Sequence, residues 1–320
     1  MVIMIKKITA KNFSPQTSFQ KKILRAAGRN ALYFTRRIIR FLPYPVFRFF
    51  IFFFIAIGRP IIKKKKRIAM ENLHTAFDGE KTEEEINTIA DHCFEGLGSG
   101  MIELIYFLDR PKETLRKVAI EGKEHLDAAL KNGHGAILLS AHFGNFILMY
   151  LRIALAGYKT NCIMRRVRDE QFEKYISDFR NENGIQTIYS LPHRQCVVNS
   201  LKRLRDNQIL FILLDQNYGD DGGVFVDFFG RPAATATGPV VFSNRSGAPI
   251  LPVFIHKNGV NRYKIVIDPP VKLAAAPAGE TELTQNVAQL TKIIEKYIRL
   301  YPHEWGGWLH RRWRTKLAVP

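Results

Sequence analysis

The residues best suited to chemistry lie in SAHFGNF, residues 140–146, directly after the apolar run AILL. His142 ends what the pattern predicts to be a buried strand, and Asn145 can cap a following helix. An imidazole at the carboxyl edge of a sheet stands where α/β folds usually bind ligands, and it can accept a hydroxyl proton near neutral pH. The segment predicts a general base for transfer to an alcohol, with a structural histidine bonded to a carbonyl as the alternative.

A second candidate is the arginine pair Arg165 and Arg166, which follows the apolar residues 162–164 and so stands at the end of another predicted strand. A guanidinium there can stabilise an oxyanion or bind a phosphate through two hydrogen bonds. A solvated basic turn with Arg168 and Asp169 is the alternative interpretation.

The segment FFGRPAATATG, residues 228–238, contains small and hydroxyl side chains that permit a close backbone approach. A helix is predicted to begin at Gly238 and Pro239, and its N-terminus suits an anionic group. Arg231 and Thr237 are therefore candidates for substrate binding, although this segment can equally serve only to cap the helix.

The C-terminal region alternates aromatic and basic side chains. That composition fits a lipid interface as well as single-stranded nucleic acid. His310, Arg311 and Arg312 are its substrate-binding candidates. The aromatic and basic residues of this region are Trp305, Trp308, His310, Arg311, Arg312, Trp313 and Arg314.

These candidates must be positioned by alternating strands and helices. Residues 68–132 have apolar positions at helical spacing, which predicts that they are helical. Later apolar runs bounded by turn residues predict strands. The predicted strands are 136–141, 209–214, 250–255 and 263–267, and the predicted helices between and after them are 147–156, 170–183, 197–206 and 283–301. This alternation predicts an α/β fold in which helices flank a sheet.

Composition narrows the class of protein. A chain of 320 residues with 46% hydrophobic content can bury a large core, and a net charge of +19 attracts polyanions such as lipid head groups, nucleic acid or acidic proteins. Cys93, Cys162 and Cys196 lack the spacing of a metal site or a disulfide framework. We therefore expect no zinc site and no disulfide.

The N-terminal region has no signal-peptide pattern, but residues 41–57, FLPYPVFRFFIFFFIAI, are densely apolar. Arg48 interrupts this run, which is shorter than the roughly 20 residues of a spanning helix. Basic residues flank it on both sides, whereas a spanning helix favours them on one. The pattern favours an anchoring helix that lies in the membrane interface. A short span and a buried helix are the alternatives.

Several motifs occur in the order found in one known family. The basic anchor is followed by Arg67, Asn72 and Leu73, then SAHFGNF, IMRRVRD, LLDQNYG, VFVDFFGRPAATATG and finally PHEWGGWLHRRWRTK. The chain resembles the late acyltransferases of bacterial lipid A biosynthesis, which include lauroyl and myristoyl transferases, from about residue 25 to residue 317. The resemblance implies a glycerolipid-acyltransferase-like fold, in which helices flank a mixed sheet. It divides the chain into an arm and anchor at 1–67 and an acyltransferase domain at 68–320.

The chain departs from this family at Ile147, where members normally have a carboxylate five residues after the histidine. An aliphatic side chain cannot orient an imidazole, and losing an orienting acid can cost on the order of 10⁴-fold in rate. Three explanations are open: another acid substitutes, histidine acts alone at a lower rate, or catalysis has been lost. Asp215 is the first candidate for a substitute because it ends a predicted neighbouring strand, and Glu103 is the second. A loop or helix cap is the alternative role for Asp215.

The resemblance implies acyl transfer from acyl carrier protein to a hydroxyl on a phosphorylated saccharolipid at the cytoplasmic face of the bacterial inner membrane. His142 would be the base, Arg165 would stabilise the oxyanion, and no metal or cofactor would take part. The acidic carrier protein and the anionic membrane surface would suit the net charge. The predicted substrate-binding residues are Asn145, Arg166, Gln216, Arg231, Thr237, His310, Arg311 and Arg312.

Two other functions remain open at this point. One is acylation of a different phospholipid or glycolipid, and the other is lipid binding without catalysis, since Ile147 replaces the usual acid. Nucleic-acid binding ranks third because the phenylalanine-rich segment favours lipid, so we expect no nucleic-acid partner.

Overall fold

A computed structural model describes residues 63–167, 169–219, 223–274 and 280–316, together with the isolated positions 30, 34, 41 and 46. The helices are α1 (Lys63–Ala76), α2 (Glu83–Leu108), α3 (Pro111–Lys117), α4 (Lys123–Lys131), α5 (Phe146–Leu155), α6 (Glu170–Glu182), α7 (His193–Arg205), α8 (Gly238–Ser246) and α9 (Glu280–Leu300). The strands are β1 (Val118–Glu121), β2 (Ala136–Ser140), β3 (Thr160–Met164), β4 (Ile185–Tyr189), β5 (Ile209–Leu213), β6 (Gly223–Phe228), β7 (Arg231–Ala236), β8 (Ile250–Lys257) and β9 (Tyr263–Ile267). Two short 3₁₀ helices follow α9, at Pro302–Glu304 and Gly306–Leu309.

Seven strands form one mixed sheet in the order β1-β9-β8-β2-β5-β3-β4. β8 and β9 pair antiparallel, and the other neighbours pair in parallel. The remaining strands, β6 and β7, form a separate antiparallel hairpin. Because β2, β5, β3 and β4 run in the same direction, the segments that follow them all emerge at one edge of the sheet.

The central strands are buried on both faces. All five residues of β2 are buried, and its alternate side chains enter two different apolar clusters. Ile137 and Leu139 pack on one side of the sheet with the C-terminal tryptophans, whereas Ala136 and Leu138 pack on the other with α5. Truncating a buried leucine in such a strand costs about 2–5 kcal/mol. The apolar runs seen in the sequence are therefore strands enclosed by helices on both sides.

The predicted mixed sheet flanked by helices is confirmed, as are the four predicted strands with stated bounds and the short strand predicted before Arg165. The predicted helices are also present, with α7 beginning four residues earlier than expected, at His193. The expectation that residues 68–132 are wholly helical is wrong, because β1 lies within them. β1 pairs with β9, a strand that comes much later in the chain, so local periodicity could not reveal it. β4 and the β6–β7 hairpin were not predicted from the sequence.

None of the helices in the described ranges combines the length and the hydropathy that a bilayer span requires. Apart from positions 41 and 46, the predicted anchoring segment 41–57 lies outside the described residues. The division between an arm at 1–67 and a domain at 68–320 stays a prediction.

Candidate active site

The pairing register of β2 and β5 brings His142 and Asp215 together. Ser140 is aligned with Leu213, and each candidate lies two residues beyond its strand. His142 Nδ1 is 2.9 Å from Asp215 Oδ1, and the backbone N–H of His142 donates to Asp215 Oδ2 over 3.1 Å. The expected carboxylate within hydrogen-bonding reach of the imidazole is therefore present, and it is Asp215.

The C-terminal segment holds this pair in place. The indole N–H of Trp305 donates to Asp215 Oδ2 over 2.8 Å. The backbone N–H of Gly306 donates to the carbonyl of His142, and that of Gly144 donates to the carbonyl of Glu304, each over 2.8 Å. Sequence reasoning missed this positioning role of Trp305. The signal for it was the motif PHEWGGW, which does not show which residue the indole contacts.

The turn after His142 depends on a glycine. Gly144 has a φ of +53°, and a Cβ there would lie 2.1 Å from the carbonyl oxygen of Ile255. After this turn, Asn145 caps α5 by accepting from the backbone N–H of Leu148. Its amide also donates to the carbonyl of Gly100 in α2, over 2.8 Å. A role for Asn145 in substrate binding stays a prediction.

For each member of the pair, burial and the charge of its partner shift the pKa in opposite directions. Burial alone would lower the pKa of His142, but the charge and hydrogen bond of Asp215 outweigh it and raise that pKa above its usual value. Burial alone would raise the pKa of Asp215, yet the charge of His142 and hydrogen bonds from His142 and Trp305 lower it. Asp215 is thus an ionised acid that stabilises the protonated imidazole.

The second nitrogen of His142 faces a more open region. The His142 side chain is 28% exposed, whereas that of Asp215 is fully buried. His142 Nε2 lies 3.2 Å from the amide nitrogen of the exposed residue Gln216. A neutral ring that donates from Nδ1 to Asp215 presents its Nε2 lone pair toward this side. Such an imidazole can accept a proton from an incoming hydroxyl.

Neither Ile147, where the acid is missing, nor Glu103, the second candidate for a substitute, contributes to this pair. Ile147 lies on the first turn of α5 and is 37% exposed. The expectation that Glu103 could substitute is not supported, because its carboxylate bonds the Tyr263 hydroxyl and lies 3.6 Å from Lys257 Nζ. Glu103 belongs to α2, and the partners of its carboxylate come from β9 and β8.

Arg165 and Arg166 stand at the end of β3, at the same sheet edge as His142, and both are exposed. The Arg166 guanidinium lies over the Tyr189 ring, 4.6 Å from its centroid. The Tyr189 hydroxyl donates to buried Glu173, which also accepts from the backbone N–H of Val167. This network, which sequence reasoning missed, fixes the turn that carries the arginines. Their roles stay predictions.

The remaining candidates differ in exposure. Arg231 is exposed at the start of β7, 3.7 Å from Asp78, and Thr237 immediately precedes α8. Arg312 is buried, with its guanidinium donating to the carbonyls of Gln216 and Ala234 and to the Thr235 hydroxyl.

Burial lowers the pKa of Arg312 to about 10. In this arrangement Arg312 supports the hairpin, and a substrate-binding role for it stays a prediction. His310 and Arg311 are exposed. The His310 ring centroid lies 6.3 Å from that of His142.

Within the described ranges, no group of three or more His, Cys, Asp or Glu side chains is arranged to hold a metal ion. Cys93, Cys162 and Cys196 are free and buried. Burial raises the pKa of the Cys93 thiol to about 12 and that of the Cys162 thiol to about 11. Such thiols are poor nucleophiles near neutral pH.

Comparison with known proteins identifies a family. The model for bacterial lipid A biosynthesis acyltransferases matches residues 14–315. The lipid A biosynthesis palmitoleoyltransferase of Escherichia coli (strain K12) is 28% identical over 283 residues, which is 86% of this chain and 87% of that protein. The lipid A biosynthesis lauroyltransferase of the same strain is 25% identical over 260 residues, covering 80% of this chain and 81% of its own length.

A more distant similarity concerns another glycolipid. The phosphatidylinositol mannoside acyltransferase of Mycobacterium tuberculosis (strain ATCC 25618 / H37Rv) is 30% identical over 134 residues, 42% of each chain. All three relatives are named as transferases of an acyl group.

Proposed function

The chain belongs to the bacterial lipid A biosynthesis acyltransferase family. From that premise we propose that it transfers a fatty acyl group from the thioester of acyl carrier protein to a hydroxyl of a phosphorylated saccharolipid. The observation that carries the proposal is the His142 imidazole, which is bound through Nδ1 to buried Asp215 and is partly exposed, with Nε2 facing the amide of the exposed Gln216. In this proposal, Asp215 takes the place of the acid that the resemblance implies at the position of Ile147.

In the proposed reaction, His142 Nε2 takes the proton of the acceptor hydroxyl as its oxygen attacks the thioester carbonyl. Asp215 stabilises the imidazolium that forms. The tetrahedral oxyanion then collapses, the C–S bond breaks, and His142 returns the proton to the departing thiolate. Arg165 is the proposed oxyanion donor, since it is exposed at the same edge of the sheet.

The surface around His142 suits an amphipathic substrate. Met101 is 58% exposed and Ile147 is 37% exposed, and the hydrogen bond from Asn145 to Gly100 holds the segments that carry them close together. On another side are His310 and Arg311, which can attract anionic groups. Apolar and basic side chains beside one imidazole support an acceptor with both acyl chains and phosphate.

The proposed location is the cytoplasmic face of the bacterial inner membrane. The apolar segment 41–57, flanked by basic residues, would lie in the interface, and the net charge of +19 would favour anionic lipid. Sedimentation with vesicles of anionic lipid, compared with neutral vesicles, tests this part. Equal recovery of the protein in the supernatant with both would contradict it.

The central experiment is an assay of the purified protein with acyl carrier protein loaded with a fatty acid and a phosphorylated saccharolipid acceptor. We expect His142→Ala to lower kcat by about 10³-fold or more, because the base is lost. His134→Ala is the matched control, since His134 is exposed near the opposite end of β2. Unchanged acyl transfer by His142→Ala would refute catalysis by His142, and no transfer by the unmodified chain would favour lipid binding.

A second candidate acceptor follows from the similarity to a phosphatidylinositol mannoside acyltransferase. Competition between the saccharolipid and a phosphoinositol glycolipid in one assay, read by mass spectrometry, would distinguish the two acceptors. Preferential acylation of the phosphoinositol glycolipid would change the proposed acceptor but not the proposed chemistry.

A further inference from the structure

Lys65 is joined to the segment that carries His310 through contacts between α1 and the C-terminal segment. Lys65 Nζ donates to the carbonyl of Leu309 over 3.1 Å. The buried Asn72 amide donates to the carbonyls of Trp308 and His310, each over 2.7 Å. Residues 308–310 are therefore fixed against α1, which sets the position of His310 relative to Lys65.

Lys65 has no carboxylate partner among the described residues, although its neighbours on α1 do. Lys66 Nζ lies 2.5 Å from Asp91, and Arg67 lies 3.6 Å from Glu71. One N–H of the Lys65 ammonium bonds Leu309, so two remain available. Lys65 is exposed, and its charge is not neutralised by an ion pair within the described ranges.

Nearby positive charge affects the pKa of His310. Partial burial lowers the pKa of His310, the charges of His142 and Lys65 lower it further, and Asp215 acts in the opposite direction. Arg311 follows in the same segment and is also exposed. The result is a concentration of positive charge next to the candidate base.

We propose that Lys65 and His310 form a subsite for a phosphate group of the acceptor. The ammonium supplies two N–H donors and the imidazole supplies one, which suits a phosphate monoester. Since the His310 ring centroid is 6.3 Å from that of His142, a phosphate held here brings the rest of the acceptor alongside Nε2. This inference rests on the proposed function and locates acceptor recognition within it.

The subsite is separate from the arginine pair. Arg165 and Arg166 follow β3, which lies two strands from β2, roughly 10 Å across the sheet. Lys65 and His310 come instead from α1 and the C-terminal segment. Two separate groups of cations allow the acceptor phosphate and the reacting thioester to be bound independently.

The test compares Lys65→Gln with Lys66→Gln, because both remove one charge from α1 but only Lys65 contacts Leu309. Each variant is assayed with the phosphorylated acceptor and with the same lipid after removal of its phosphate. We expect Lys65→Gln to raise the KM for the phosphorylated acceptor about 10- to 50-fold, with kcat and the KM for the donor unchanged. Lys65→Arg should restore most of the affinity, and Lys66→Gln should match the unmodified chain.

Equal losses with both acceptors would overturn the subsite and show that Lys65 only supports the C-terminal segment. A raised KM for the acyl donor alone would likewise overturn the assignment to the acceptor. If the unmodified chain is active and Lys65→Gln equals Lys66→Gln, the subsite fails while the proposed function stands.

A titration of His310 followed by NMR tests the subsite without relying on activity. His310→Gln identifies the signal. The phosphorylated acceptor should raise the pKa of His310 because a bound dianion favours the imidazolium, and the dephosphorylated lipid should leave it unchanged. No response to the phosphorylated acceptor would overturn the subsite. A full response to inorganic phosphate at the same concentration would overturn a lipid head group as its source.

Discussion

Asp215 and Glu103 are both buried carboxylates that accept a hydrogen bond from an aromatic side chain, but only Asp215 is also paired with a histidine. Asp215 is bound by the Trp305 indole and by His142, whose ring has an open side. Glu103 is bound by the Tyr263 hydroxyl and lies near the Lys257 ammonium.

The two acids differ in the side chain to which each is hydrogen-bonded. His142 can change its protonation state near neutral pH. Burial and the nearby Glu103 carboxylate raise the pKa of Tyr263 well above its usual value, so this hydroxyl keeps its proton there. Burial of a carboxylate alone therefore does not indicate catalysis, whereas a buried carboxylate that supports a titratable and accessible base does.

Asp215→Asn should give the largest effect in this comparison. We expect kcat to fall about 10²- to 10⁴-fold, by analogy with the loss of an orienting acid in serine proteases. The base must be neutral to accept a proton, so activity rises with pH through the pKa of His142. Because Asp215 raises that pKa, its removal should move the acid limb of the pH–rate profile to lower pH. A profile of kcat against pH that keeps its acid limb in place would contradict the role of Asp215.

Trp305→Phe should have an intermediate effect, because it removes one hydrogen bond to Asp215 without removing the carboxylate. We expect kcat to fall about 10-fold, from the roughly 1.5–3 kcal/mol of a hydrogen bond to a charged group. Tyr263→Phe is the matched control, since it removes the corresponding aromatic donor to Glu103. Both are assayed well below their unfolding temperatures. Equal changes in kcat for the two variants would contradict the proposal that Asp215 supports the reaction and Glu103 does not.

Glu103→Gln should change activity least. We expect kcat to stay within about threefold, and the free energy of unfolding to fall by about 1–3 kcal/mol because buried partners lose a charged acceptor. Urea denaturation measures the second quantity. A loss of activity as large as that of Asp215→Asn, with unchanged stability, would show that Glu103 serves the reaction.

Much of the site could be predicted from sequence because its residues stand at the ends of strongly apolar strands. The apolar runs before His142 and Asp215 indicated two buried strands, and parallel strands end at one edge of a sheet. Their adjacency depended on β5 pairing directly with β2, which no local pattern specifies. The same limit explains the error at β1, which joins the sheet only through a distant partner.

The sequence by itself determined the family, the α/β class, the imidazole that faces the site and two possible substitutes for the acid missing at Ile147. The family and the acid missing at Ile147 follow from the order of the motifs and their resemblance to the family. The α/β class and the position of the imidazole follow from apolar periodicity over short segments and from residue types. Only the tertiary structure decided between Asp215 and Glu103, joined Trp305 to the carboxylate and bound Lys65 to the carbonyl of Leu309, next to His310 in the chain. Those contacts join residues many positions apart, and they form because burial of the shared core fixes the strand register and the path of the C-terminal segment.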